Sequence, residues 1–149
     1  MAQNKKPRKA YKPKRIVKNP IGYMSKMTES EKNRDQIYYR LALSNLQKGQ
    51  GTFEDCNTLT FCLNCCASLC LQHFGGEGYE MVAKCQSIQN TVNNRAKAQL
   101  PAVYTTEEFV SVRNCLDYYD SQVDIMSPKD MLAAKDLVEH TLSHKKFVK

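Results

Sequence analysis

Apolar side chains recur along most of this chain at intervals of three and four, the spacing that lines one face of an α-helix. Tyr39, Ala42, Leu43 and Leu46 form the first such stripe, preceded by Thr28 and Glu31 in capping-box register and stopped by Gly49 and Gly51. Thr52 and Asp55 open the second. There Leu59, Cys62, Cys66 and Leu69 share one line, with Leu63, Cys70 and Phe74 beside it, up to Gly75 and Gly76. A third stripe runs from about Gly78 to Gln99, ahead of Pro101, with Met81, Cys85, Ile88, Val92 and Ala96 assigned to the apolar face. Lys84, Gln89, Asn93, Arg95 and Lys97 are assigned to its polar face. After the short extended link Ala102-Val103-Tyr104, Thr105 and Glu108 repeat the cap spacing, and Phe109, Val112, Leu116, Tyr119, Val123 and Met126 follow at helical intervals. Ser127-Pro128-Lys129-Asp130 starts a fifth helix, with Met131, Ala134, Val138 and Leu142 as its stripe and Lys145, Lys146 and Lys149 at its basic end. No strand-like alternation longer than four residues competes, and residues 102–105 are the one candidate for weak pairing with the N-terminal segment. The pattern predicts an all-α fold, an antiparallel bundle of about five helices over residues 28–149.

Charge changes the picture at the N-terminus. Residues 1–27 carry Lys5, Lys6, Arg8, Lys9, Lys12, Lys14, Arg15, Lys18 and Lys26 and no acid, a charge of +9. Residues 28–149 carry 13 basic and 15 acidic residues, a charge of −2, and the two parts give the chain its net +7. Pro7, Pro13 and Pro20 interrupt the basic segment, which reads as an extended arm on a helical body. Such an arm neutralises phosphates and releases their counterions, with an affinity that falls steeply with salt. Tyr11 and Tyr23 add a thin aromatic component for stacking on bases. A solubilising tail, or a leader docked on its own domain through Ile16, Val17 and Ile21, is the alternative reading.

With 149 residues the chain is too short for a two-domain enzyme, and it has no apolar run near the 18–20 residues of a membrane helix. No signal-peptide pattern is visible at the N-terminus, so the expected compartment is the cytoplasm. The seven cysteines include Cys56, Cys62, Cys65, Cys66 and Cys70 within fifteen positions. Cys62-x-x-Cys65, with His73 beyond Cys70, has half of a zinc-knuckle spacing, but the second pair is missing, and one straight helix does not surround a metal tetrahedrally. The cysteines are therefore read as reduced, small core residues. His140 and His144 share a helix face without the glutamate of a metalloprotease motif and read as a solvated pair. Gly75-Gly76-Glu77-Gly78 has neither a preceding strand nor a following Lys-Ser/Thr and reads as a turn. No catalytic residue, metal site or cofactor is assigned.

The stretch Arg8-Lys9-Ala10-Tyr11-Lys12-Pro13-Lys14-Arg15, followed by Lys18-Asn19-Pro20, resembles the N-terminus of a family of small helical proteins encoded by bacteriophages and prophages. The likeness continues in the extended segment before a Thr-x-x-Glu helix start, Val103 to Glu108, and in an acidic helix ending near Asp120 to Asp124. The cysteine cluster departs from the family pattern. The resemblance implies a non-enzymatic accessory protein of a phage or mobile element that inhibits a host defence system by binding a nucleoprotein or protein complex, as anti-CRISPR proteins do, in the bacterial cytoplasm. On that reading Lys5, Lys6, Arg8, Lys9, Tyr11, Lys12, Lys14, Arg15 and Lys18 engage a phosphate-rich or acidic surface. Asp117, Asp120 and Asp124 offer a line of carboxylates that mimics nucleic acid before a basic channel. The second reading is direct nucleic-acid binding in phage replication or regulation.

Overall fold

Five helices build the body, and three of them start at a side-chain cap that the chain supplies, Thr52, Thr105 and Ser127. The computed structural model describes residues 29–144 and places α1 at Glu29–Gln47, α2 at Phe53–His73, α3 at Tyr79–Lys97, α4 at Thr106–Ile125 and α5 at Pro128–His144. The fold is the all-α bundle that the apolar periodicity predicts, with no strand among the described residues. The basic arm, the cap at Thr28, pairing of residues 102–105 with the arm, the side chains of Leu142 and His144, and the lysines at 145, 146 and 149 lie outside the described residues.

The caps are closed by local hydrogen bonds. Asp55 N donates to Thr52 Oγ1 at 3.2 Å and Thr52 N donates to Asp55 Oδ2 at 3.0 Å. Thr105 and Glu108 repeat this exchange at 3.1 and 2.9 Å, and Asp130 N donates to Ser127 Oγ at 3.2 Å. Each pair satisfies amide groups that a helix start leaves unpaired. Gly78 enters α3 at a left-handed φ of 81°, and a Cβ there would lie 2.8 Å from the Tyr118 ring, so both backbone and space call for glycine.

The helices are not equivalent staves. Helix α2 packs against all four others, while α1 and α3 each also touch α4, and α5 rests on α2. Composition explains this centrality: α2 has no lysine or arginine, and its two acids, Glu54 and Asp55, sit in the first turn. Its buried positions, from Cys56 and Leu59 through Leu69 and Cys70, cover about 220° of the helical wheel, far wider than one stripe. Small side chains on so broad a buried face let neighbouring helices approach closely. All seven cysteines are buried and unpaired. Cys115 of α4 makes thiol contacts with Cys66 of α2 and Cys85 of α3 where the three helices meet.

One assignment on α3 is corrected. Gln89 and Asn93, expected on the polar face, are 1% and 3% exposed, whereas Met81, expected in the core, is 37% exposed and Val82 takes its place. The buried amides are stabilised by a relay. The Tyr104 hydroxyl donates to Gln89 Oε1. Gln89 Nε2 donates to Asn93 Oδ1 and Asn93 Nδ2 to Thr60 Oγ1, both at 2.9 Å, and Thr60 Oγ1 donates to the Cys56 carbonyl at 2.8 Å. This relay joins the α3–α4 link, α3 and α2 through groups that have left water, so every member needs its neighbour. Asn93→Leu removes the acceptor of Gln89 and the donor to Thr60 together. It should cost about 2–4 kcal/mol in urea unfolding, above the roughly 1–3 kcal/mol of a single orphaned group, and a loss under 1 kcal/mol would show that the relay is dispensable.

Candidate interaction surface

Helix α1 offers three distinct sides. Tyr39, Ala42, Leu43 and Leu46 face the core. One flank meets the acidic line of α4: Arg40 Nη2 donates to Asp117 Oδ1 at 2.7 Å and to Asp120 Oδ2 at 2.6 Å, and Lys32 Nζ reaches Asp124 Oδ1 at 3.2 Å. Residue numbers rise along α1 as they fall along α4, so the two helices run antiparallel with their charges in register. The Tyr39 hydroxyl also donates to Asp120 Oδ1. Burial, reinforced by that bond to a carboxylate, raises the Tyr39 phenol well above its ordinary value. Burial works against the Arg40 charge, but Asp120 and Asp117 outweigh it and leave the guanidinium pKa raised.

Asp117, Asp120 and Asp124 therefore do form the single line expected from their spacing, and each is answered by a cation from α1. Three carboxylates against two cations leave one surplus negative charge, little with which to imitate a phosphate backbone. The partners are hidden from a local reading of the sequence because Lys32 and Arg40 lie 77–92 positions away in the chain. Arg40→Gln should lower stability by about 1–2 kcal/mol at low salt and by less than half as much in 1 M NaCl, since the pairs are partly exposed and screened. Parallel urea titrations at the two salt concentrations check this, and an equal loss in both would contradict an electrostatic clasp.

The other flank of α1 opens into a groove of about 650 Å³ over α2, walled on the far side by α5. Tyr38, Tyr39, Phe61 and Tyr119 supply aromatic surface, and the Tyr39 and Tyr119 rings lie 5.7 Å apart. Asp35, Glu54 and Glu139 set acids around it, against Lys135, whose Nζ donates to Asp35 Oδ2 at 3.0 Å. Three acids and one cation give a local charge of −2. Tyr38 at the groove's edge is 65% exposed, and beyond the groove α1 leaves Ile37 and Leu41 66% and 57% exposed. These residues fall between the core positions of the stripe, so α1 is apolar on two sides. That doubling is present in the sequence, but a search for one stripe discards the residues between its members.

The thiols and phenol in and next to the groove are kept in their protonated form by burial. Burial pushes the Cys65 thiol up to about 12, and Cys62 well above its ordinary value. This is the reverse of the lowered pKa that makes a cysteine a nucleophile. Tyr119 is likewise held protonated by burial. Among the described residues no group of His, Cys, Asp and Glu is arranged to hold a metal ion. His73 and His140 are exposed, on α2 and α5 respectively. No described helix is long and apolar enough to cross a membrane.

No family model, curated protein or solved structure matches the chain. The charge distribution and the surfaces of the body themselves are what remains to indicate a function.

Proposed function

We propose that the protein is a non-enzymatic accessory factor of a phage or mobile element, acting in the bacterial cytoplasm by binding and inhibiting a host nucleoprotein or protein complex in an anti-CRISPR-like manner. The observation that carries this reading is the segregation of charge: all 15 acids lie in residues 28–149, and residues 1–27 hold nine cations alone. Lys5, Lys6, Arg8, Lys9, Lys12, Lys14, Arg15 and Lys18 grip a phosphate-rich or acidic surface, with Tyr11 available for stacking. The aromatic groove and the exposed apolar side of α1 provide protein-binding area on the helical body.

Direct binding of free nucleic acid is the second reading. It is favoured by the pairing of Asp117, Asp120 and Asp124 with α1, which weakens an acidic-mimic role and leaves the arm as the dominant charged feature. Polarisation titrations on duplex and single-stranded DNA at several salt concentrations separate the two. Under the second reading, binding is micromolar or better, and neutralising Lys9, Lys12, Lys14 and Arg15 flattens the slope of log K on log salt by about 0.9 for each duplex phosphate that the arm ceases to neutralise. Under the first, free DNA binds weakly, and expressing the chain in a bacterium whose CRISPR system targets a phage restores plaque formation. Absence of both DNA binding and restoration would overturn the two readings together.

A further inference from the structure

We propose that the groove between α1 and α5 is the docking site for the chain's own basic segment, residues 12–24. Three observations converge on this occupant. The first is charge: the segment carries Lys12, Lys14, Arg15 and Lys18 and no acid, and the groove has a surplus of two negative charges. Among the described residues neither Glu54 nor Glu139 has an ion-pair partner. The second is apolar match. Ile16 and Val17 lie between Arg15 and Lys18, and Ile21, Tyr23 and Met24 follow them. The groove in turn combines an acidic rim with the rings of Tyr38 and Phe61, and it is continuous through Tyr38 with exposed Ile37 and Leu41. A purely cationic tail would have no use for that surface, and a purely apolar segment none for the rim.

The third is reach. The segment joins the body at the start of α1, whose first residue is Glu29, and Asp35 lies six residues along that helix, about 9 Å at 1.5 Å per residue. Ten residues of extended chain span about 33 Å, so residues 12–24 can fold back along the groove without strain. A tether this short gives an effective concentration on the order of millimolar, enough to populate a contact too weak to form between separate molecules. Docking of this kind does not depend on what the arm holds elsewhere. It does imply that the groove and any phosphate surface compete for these four cations, so engagement of the whole arm requires them to leave the groove, while Lys5, Lys6, Arg8 and Lys9 lie outside the docked segment.

The test uses the full chain with the photo-cross-linker p-benzoylphenylalanine at position 38, replacing one exposed aromatic with another, and maps the linked peptides by mass spectrometry. Peptides from residues 12–24 should dominate, in protein of monomer mass, and their yield should fall at least fivefold in 1 M NaCl, where the Debye length is about 3 Å. The double variant Glu54→Gln, Glu139→Gln should lower the yield comparably while its helical circular dichroism stays unchanged. A cross-linker at position 100, exposed on the α3–α4 link, is the control. Equal arm linkage from positions 38 and 100, hybrid-mass products from mixed light and ¹⁵N-labelled protein, or no arm peptide at all would each overturn the proposal.

Discussion

Raising the pH from 8 to 10 under reducing conditions should unfold the protein. Burial pushes the Cys56 thiol up to about 11 and Cys65 up to about 12, and it raises Cys62 well above its ordinary value. Cys85 is raised by its bond with Cys115 and by burial, and Cys115 is raised by its bond with Cys66, against a lowering from its bond with Cys85, and by burial. In the unfolded chain a thiol ionises near 8.5. Between that value and the folded one, the native state keeps protons that the unfolded state has released. The unfolded state then binds fewer protons, and stability falls as pH rises. Each such thiol loses about 1.4 kcal/mol per pH unit across its window, or about 2 kcal/mol by pH 10. Cys56, Cys62 and Cys65, raised chiefly by burial, together reach about 6 kcal/mol, within the whole 5–15 kcal/mol of a typical domain, and the Cys85–Cys115 pair acts in the same direction. Tyr104 and Tyr119, raised mainly by burial, add to the same slope above pH 10. Helical circular dichroism followed against pH in a reductant should show a cooperative loss centred near pH 10. Persistence of the signal to pH 11, or thiolate absorbance appearing near pH 8.5 in the folded protein, would show that the thiols are not sealed in the core.

The same chemistry marks what a reader of the sequence can and cannot see. Helix starts are legible at Thr52 with Asp55, Thr105 with Glu108 and Ser127 with Asp130, because a cap is an exchange between residues three apart and needs no tertiary partner. The stripes Tyr39-Ala42-Leu43-Leu46 and Val112-Leu116-Tyr119-Val123 are legible for a related reason, since one face must leave water whatever covers it. Burial of Gln89 and Asn93 is not. It depends on Thr60, thirty-three positions before Asn93, and on Tyr104 in a link that looks like mere connection. The acidic line of α4 is visible as a line, while its cations on α1 are not, and the groove beside α5 is built from residues of several helices that no local window unites. Long-range polar pairing decides the candidate surface, and polar pairing leaves no periodic trace in a chain.

Substitutions on α2 test whether its thiols act as spacers and its leucines as core. Leu59 and Cys66 are seven residues apart, close to the middle of the buried arc, and both are fully buried. Leu59→Ala removes three carbons from a fully buried core position, leaving a cavity that helices fixed by other contacts cannot close. It should cost about 3–5 kcal/mol, the upper part of the range for leucine truncations, enough to leave a domain of ordinary stability near its threshold. Cys66→Ala removes one sulfur atom and its contact with Cys115, and should cost about 1 kcal/mol. Cys66→Leu has the opposite sign of volume change: it forces two extra atoms between α2 and α4, with an overpacking cost of about 1–3 kcal/mol. The order Leu59→Ala, then Cys66→Leu, then Cys66→Ala, read from urea midpoints at constant slope, is what a central helix surrounded at close range requires. A leucine at position 66 that stabilised the protein would instead reveal slack around α2, and with it a core that does not need its thiols to be small.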